Sequence, residues 1–121
     1  MSKYQKLDVW KTTMELVKET YLLTKKYPKD ELFALTSQTR RSAVSVPANF
    51  TEGMGRQYKK DTIQFLHVSR GSLYELETHL NFAMMIQIKS EEDLMKISGL
   101  IEKSMQLLNG FINYMEKADL K

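Results

Sequence analysis

The sequence predicts an all-α fold, an antiparallel up-down four-helix bundle with a proline-kinked second helix. Four segments repeat apolar residues with the 3.6-residue period of an α-helix. The 121 residues include only two prolines and five glycines, too few turn residues for a many-stranded β fold. Because the connections between the segments are short, consecutive helices are expected to run antiparallel. We expect one four-helix bundle domain over residues 1–121.

The first helix is predicted at about residues 8–26. Asp8 is the expected N-cap, and the helix is expected to end at Tyr27 because a residue before proline avoids the helical conformation. Its apolar residues form two stripes covering roughly 200° of the circumference, whereas a surface helix needs roughly 100°. The stripes are Leu7, Trp10, Met14, Val17 and Tyr21, and Val9, Leu16, Leu23 and Tyr27. We therefore predict that this helix is buried on two sides and that the protein is a homo-oligomer.

The second helix is predicted at about residues 30–54. Pro47 removes a backbone donor and is expected to kink this helix near residues 43–47, and Gly53 and Gly55 are expected to end it. The face opposite its apolar stripe carries mostly small residues, which allow another helix to approach closely. These residues are Ala34, Ser37, Arg41, Ser45, Ala48 and Glu52.

The third and fourth helices are predicted at about residues 59–88 and 91–118. Ser90 is the expected N-cap of the fourth helix. The acidic residues 91–93 that follow it complement the positive end of the helix dipole.

Composition excludes several classes of protein. The chain has no cysteine, so it has neither disulfides nor cysteine-ligated zinc. Its N-terminus lacks the apolar stretch of a signal peptide, and its longest apolar run, residues 82–86, is much shorter than the about 20 residues needed to span a bilayer. We expect a cytoplasmic protein that does not enter a membrane.

The residues give no support for catalysis. A di-iron bundle needs Glu-x-x-His pairs, but the only histidines, His67 and His79, follow Gln64 and Leu76 at that spacing. Helical ribonucleases of the HEPN type need an arginine four to six residues before a histidine, and here the separations are eleven and nine residues. We predict a non-enzymatic protein with no catalytic residue, no metal site and no cofactor, and histidines that lie at or near the surface.

Charged residues on the helices suggest structural ion pairs. Arg70 and Glu77 both project to the apolar side of the third helix, where a charge needs a partner. We expect Glu77 to pair with Arg70 or Arg40. We also expect Glu52 to pair with Arg56 or Arg41.

Positive charge is concentrated in the first half of the chain. Residues 1–60 contain twelve Lys or Arg and six Asp or Glu, whereas residues 61–121 contain six and nine. A basic cluster stands out between residues 36 and 60, with a net charge of +4 that includes Glu52. Its basic members are Arg40, Arg41, Arg56, Lys59 and Lys60. Such a group can neutralise the phosphates of RNA or DNA, and a solvated helix end with local salt bridges is an equally open interpretation.

Several motifs together resemble a known family. They are Leu7-Asp8-Val9-Trp10, Leu35-Thr36-Ser37-Gln38, the stretch from Arg40 to Asn49, Glu52-Gly53-x-Gly55-Arg56, and Gly71-Ser72-Leu73-x-Glu75-Leu76-Glu77-Thr78. The combination resembles the four-helix bundle family known as S23 ribosomal proteins, which are often encoded in intervening sequences of 23S rRNA genes. The likeness covers about residues 7–117.

The resemblance implies a bacterial cytoplasmic protein that assembles as a pentameric ring. It also implies a likeness to the accessory protein of diversity-generating retroelements, a basic barrel that binds nucleic acid and a protein partner, a reverse transcriptase. Arg40, Arg41 and Arg56 match positions where the family has arginine. Two functions remain open: an oligomeric nucleic-acid-binding accessory protein, and a structural oligomer or protein-interaction scaffold whose arginines hold subunits together.

Overall fold

Four α-helices make up most of the part of the chain that the structure describes, Tyr4 and residues 7–118. The structure is a computed structural model. Its helices are α1 (Asp8–Thr24), α2 (Ser37–Met54), α3 (Lys59–Met85) and α4 (Met95–Lys117). A 3-10 turn (Lys29–Glu31) and a π-helical turn (Leu32–Thr36) connect α1 to α2, and the described residues contain no strand. The predicted all-α fold is confirmed.

Hydrogen bonds show that α3 runs antiparallel to both α2 and α4, since Lys59 and Arg70 of α3 also bond to Ala118 and Asn109, at the end and in the second half of α4. Thr62 Oγ1 of α3 donates to the Gly53 carbonyl of α2 at 2.9 Å, and Ser69 Oγ donates to the Val46 carbonyl at 2.6 Å. Residue numbers therefore rise along α3 as they fall along α2. Each helix packs against two others, in the ring order α1, α2, α3, α4 and back to α1. The predicted up-down bundle is confirmed.

The core is built from all four helices. Leu16, Phe50, Leu73 and Leu108, one from each helix, are fully buried. Phe50 also meets Phe111 edge to face, with the ring centroids 5.5 Å apart. A single apolar core of this kind accounts for the association of the helices, because helices of this length gain most of their stability from packing.

Buried threonines line the core face of α1. The hydroxyls of Thr13, Thr20 and Thr24 donate to the carbonyls four residues earlier, at 2.8, 2.7 and 2.8 Å. Each hydroxyl is thereby satisfied within its own helix. The threonines can then be buried without the penalty of an unpaired polar group.

The second apolar stripe of α1 is only partly covered. Met14 and Tyr21 are 41% and 43% exposed, and Trp10 and Val17 are half-buried. Within one chain, α1 is thus buried on one side, and the prediction of burial on two sides does not hold for the single chain. Whether a second copy covers the remaining stripe stays a prediction.

The first two helices differ from prediction mainly at their starts. Leu7 occupies the N-cap of α1 without a side-chain cap, and Asp8 lies inside the first turn. The segment before Ser37, predicted as helix from residue 30, winds instead as the 3-10 and π-helical turns. α2 runs without a break through Pro47 and ends at Gly55 as predicted, whereas the kink at Pro47 stays a prediction.

The third helix ends three residues earlier than predicted because the backbone reverses at Gln87, whose φ is 63°. The amide of Gln87 donates to the Met84 carbonyl at 3.0 Å, and the amide of Ile88 donates to the Ala83 carbonyl at 2.9 Å. This pair of bonds is a Schellman motif, which usually has glycine at the reversed position. The sequence gives no glycine there to mark the end of the helix.

The fourth helix begins at Met95, later than the predicted residue 91. Ser90 does form a capping interaction, but in the turn that precedes α4. The Ser90 amide donates to Asp93 Oδ2 at 3.0 Å, and the Asp93 amide donates to Ser90 Oγ at 3.2 Å. Hydrogen bonds from the backbone and hydroxyl of Ser90 lower the pKa of Asp93 below its usual value.

Candidate nucleic-acid interface

The structure divides the five predicted basic residues into two groups. Arg40 and Arg41 lie in the first turn of α2, whereas Arg56, Lys59 and Lys60 lie at the connection from α2 to α3. The helix between Arg41 and Met54 separates the groups by about 20 Å, from its rise of about 1.5 Å per residue. They therefore do not form one continuous patch within a chain.

Two residues of the second group are held by neighbouring groups. Arg56 Nη2 pairs with Glu52 Oε1 at 3.1 Å, and its guanidinium lies 4.6 Å from the centroid of the Phe65 ring. The Glu52–Arg56 ion pair is therefore confirmed. Lys59 Nζ donates to the Ala118 carbonyl at 3.0 Å, where it also neutralises the negative end of the α4 dipole. Lys60 is exposed and has no ion pair within the described residues.

In the first group, too, one arginine has contacts within the chain and the other is exposed without an ion pair. Arg40 Nε donates to Thr24 Oγ1 at 2.8 Å, and its guanidinium lies 4.6 Å from the centroid of the Tyr21 ring. These contacts join α2 to α1 and fix the orientation of the Arg40 side chain. Arg41 is exposed, without an ion pair in the part of the chain that the structure describes.

A surface hollow of about 400 Å³ opens beside these two arginines, and we call it the α1–α2 hollow. It is lined by Tyr21, Leu32, Phe33, Thr36, Ser37, Arg40 and Arg41. Phe33, in the π-helical turn, is 93% exposed. The buried hydroxyl of Thr36 has no hydrogen-bond partner among the described residues. The hollow thus combines aromatic rings and guanidinium groups.

A second hollow of about 340 Å³, the α2–α3 hollow, lies on the other side of Arg41. It is lined by Gln38, Arg41, Ser42, Ser45, Glu75 and His79. Because Arg41 borders both hollows, one exposed guanidinium stands between two recesses of the surface.

The sequence does not mark Tyr21, Phe33 or Lys25 as candidate binding residues. Tyr21 belongs to an apolar stripe of the first helix, and the position of Phe33 off the apolar stripe of the helix predicted over 30–54 is its only sequence signal. Lys25 follows Tyr21 by one helical turn and places another charge on the same side of α1.

The predicted ion pair of Glu77 with Arg70 or Arg40 is wrong. Arg70 donates to Asn109 Oδ1 of α4 at 2.9 Å and to His67 Nδ1 at 2.8 Å, and Glu77 is exposed. Seven residues separate Arg70 from Glu77, about 10 Å along the helix, whereas Asn109 lies directly opposite Arg70. His67 is exposed and His79 half-buried, which confirms the expected positions of the histidines.

The described residues contain no group of three His, Cys, Asp or Glu side chains close enough to hold a metal ion. In the same part of the chain, no helix combines the length and apolarity that crossing a membrane requires.

Comparison with known proteins identifies the family. The model of the 23S rRNA-intervening sequence protein family matches residues 5–110. The chain belongs to this family. Its description names a place in an rRNA gene and no enzymatic activity.

A solved structure agrees with this assignment of the chain to the 23S rRNA-intervening sequence proteins. The chain is similar to a protein of unknown function from the S23 ribosomal protein family of Bacteroides thetaiotaomicron, with 23% identity and a TM-score of 0.79. The match covers 86% of this chain and 97% of that chain, and it establishes the fold. No curated protein matches the chain.

Proposed function

We propose that this protein is a non-enzymatic, oligomeric accessory protein that binds nucleic acid through the basic residues at the start of α2 and around the start of α3. The observation that carries the proposal is the state of Arg41 and Lys60, which are exposed and form no ion pair with any described residue. Such cations neutralise phosphates without first losing a protein partner. The family's description connects its genes with rRNA, so RNA is the first ligand to test.

Exposed apolar residues on the outer face of α1 and α2 support the oligomeric part of this proposal. Met14 on α1 and Val44 on α2, which lie outside the α1–α2 hollow, are each 41% exposed. Contiguous exposed apolar surface is uncommon in monomers and typical of interaction sites. An oligomer repeats Arg41 and Lys60 in every subunit, and linked weak sites bind more tightly than single ones. The family resemblance favours a pentamer.

A charge-reversal experiment tests the proposal. Binding of mixed-sequence RNA and duplex DNA is measured by fluorescence anisotropy at about 50 and 200 mM salt, the range over which phosphate-driven binding weakens strongly. We expect R41E/K60E to lose at least about ten-fold in affinity at the lower salt, since each reversal removes an attractive phosphate contact and adds a repulsive one. Lys59 is left unchanged because it binds the end of α4.

The matched control is K11E/K103E, which changes the net charge equally at two exposed lysines outside the basic cluster. Binding by this variant should remain close to that of the unaltered protein. Absence of binding at the lower salt would refute nucleic-acid recognition. An equal loss in both double variants would show that net charge, and not these two positions, determines binding.

A structural oligomer or protein-interaction scaffold is the second candidate function. It is favoured by the contacts of Arg40, Arg56 and Lys59 with their own chain, which leave these side chains less free to bind phosphate. Light scattering distinguishes the possibilities when it is combined with the binding assay. A mass well above the 14.2 kDa of one chain, without nucleic-acid binding, would support the scaffold, and a constant mass of one chain would refute self-association.

A further inference from the structure

The α1–α2 hollow has the composition of a site for a flat, negatively charged ligand. The ring of Phe33 is 93% exposed and pairs with no aromatic ring of the described residues. Tyr21, half-covered by the Arg40 guanidinium, supplies a second ring. The volume of the hollow, about 400 Å³, falls in the range of small-ligand sites, roughly 300–1,000 Å³.

We propose that the α1–α2 hollow holds a single unstacked base of a nucleic-acid strand, so that the protein prefers single strands to duplexes. The proposal rests on the proposed function and specifies its ligand. A base stacked on Phe33 covers apolar ring surface that water now contacts, and such stacking tolerates any base because every base has a flat face. Bases in a duplex are already stacked and paired, so they reach the ring only after being flipped out.

The arginines place the phosphates next to that base. Arg40 Nε donates to Thr24 Oγ1, and the guanidinium lies over the Tyr21 ring. These two contacts fix the side chain at the edge of the hollow and leave its outer nitrogens available for a phosphate. A guanidinium fixed in this way loses little freedom when it binds a phosphate. Arg41 lies between the α1–α2 and α2–α3 hollows, where it contacts the phosphate that links two successive nucleotides.

A hydroxyl group completes the site. Ser37 lines the hollow, and Thr36 holds a buried hydroxyl that has no partner among the described residues. The Thr36 hydroxyl is enclosed by the protein, so Ser37 is the residue that offers its hydroxyl to a polar edge of the base. The neighbouring α2–α3 hollow contains Glu75, whose carboxylate repels phosphate. The strand is therefore expected to pass over Arg41 and not to enter that hollow.

The test compares three probes of equal length, about 12 nucleotides: single-stranded RNA, its duplex, and a strand of abasic phosphodiester units. The abasic strand keeps the charges and lacks the bases. We expect the protein to bind the single strand at least about five-fold more tightly than the abasic strand, which corresponds to the lower range for stacking on one ring. The variant F33A should lose that difference and bind both strands alike, whereas F33W should retain it.

Phe82→Ala is the matched control, because Phe82 is also an exposed phenylalanine, 47% exposed, but lies on α3 outside the hollow. It should bind all three probes like the unaltered protein. R41A should weaken binding to the single and abasic strands equally, because its contact is with phosphate.

The failures of the two proposals are distinguishable. If the protein binds RNA but F33A binds as well as the unaltered protein, the base site is refuted and nucleic-acid binding stands. If the unaltered protein binds the single and abasic strands with equal affinity, the base site is likewise refuted and nucleic-acid binding stands. If F33A changes the mass measured by light scattering, Phe33 belongs to a contact between copies and the base site is refuted. If no probe binds, both proposals fail.

Discussion

At the scale of single residues, Gln87 has a left-handed backbone conformation that side chains disfavour. It is the only described residue other than glycine with a positive φ, 63°, and it ends α3. Side chains disfavour this conformation by roughly 1–2 kcal/mol, and glycine avoids the clash. We expect Gln87→Gly to raise the free energy of unfolding in urea by about 1 kcal/mol.

Gln106→Gly is the control for that substitution. Gln106 is exposed in the middle of α4, where glycine should destabilise the helix by about 1 kcal/mol. A loss of stability in both variants would show that the end of α3 is not strained.

A second residue, Tyr27, makes stability depend on alkaline pH. Burial raises its pKa to about 12, from a usual value of 10.0. Between these values the folded protein keeps the phenol proton and the unfolded chain releases it, so stability falls as the pH rises through this window. We expect the free energy of unfolding to decrease from pH 9 to pH 11 by more in the unaltered protein than in the variant Tyr27→Phe.

Tyr27→Phe isolates this one group, because lysines titrate in the same range in both proteins. The substitution also removes a buried hydroxyl that has no hydrogen-bond partner within the described residues. Parallel pH curves for the two proteins would contradict the assignment.

At the scale of elements, Gly53 determines how closely α2 and α3 approach. A Cβ atom at this position would lie 3.0 Å from Phe65 Cβ and 3.1 Å from the Thr62 carbonyl oxygen. The two helices would have to separate, so we expect Gly53→Ala to cost about 1–3 kcal/mol in thermal or urea unfolding. Gly99→Ala, with no atom within 4 Å, should instead stabilise α4 by about 1 kcal/mol. Equal effects would refute the close approach.

Helix ends were predictable where local chemistry specifies them. Pro28 restricts the residue before it, so the end of α1 lay within a few residues of prediction. α2 also ends where predicted, although Gly55 has a φ of −86°, which any residue can adopt. Gln87 stops α3 through tertiary context, because the following Ile88 packs with Tyr27 and Leu35. Glutamine has no conformational preference that would predict this turn. The sequence likewise contains no signal for the π-helical turn before α2.

The candidate site was predictable in residue type but not in arrangement. Charge identified Arg41 and Lys60, but the sequence distance between them does not reveal that a rigid helix keeps them apart. The roles of Lys59 and Arg40 depend on Ala118 and Thr24, which are distant in sequence. Phe33 lies off the apolar stripe of the predicted helix, but its place beside Tyr21 and the two arginines depends on the π-helical turn, which the sequence does not predict.

At the scale of the whole molecule, the charge asymmetry of the sequence becomes an uneven distribution of charge around the bundle. The basic half, residues 1–60, supplies α1, α2 and the first two residues of α3, and the acidic half, residues 61–121, supplies the rest of α3 and α4. Because the helices follow one another around the bundle, α1 and α2 form one side and α3 and α4 the other. A polyanion therefore approaches the α1–α2 side, which holds the proposed base site.

The close pairing of α2 and α3 also bears on which parts of the protein open first. A connection of only four residues, 55–58, joins these helices, and hydroxyl–carbonyl hydrogen bonds link them. α1 is joined to α2 through twelve residues, 25–36, and leaves one apolar stripe uncovered. Local unfolding should therefore release α1 before it separates α2 from α3.

Amide hydrogen exchange measures this order. In dilute protein, the amides of α2 and α3 should exchange most slowly, and those of α1 should exchange through an opening that leaves the α2–α3 pair intact. Uniform protection of all four helices would contradict it. Since Tyr21 belongs to α1 and Arg41 to α2, each such opening takes the hollow apart, and a bound strand that holds it together should slow the exchange of α1 most.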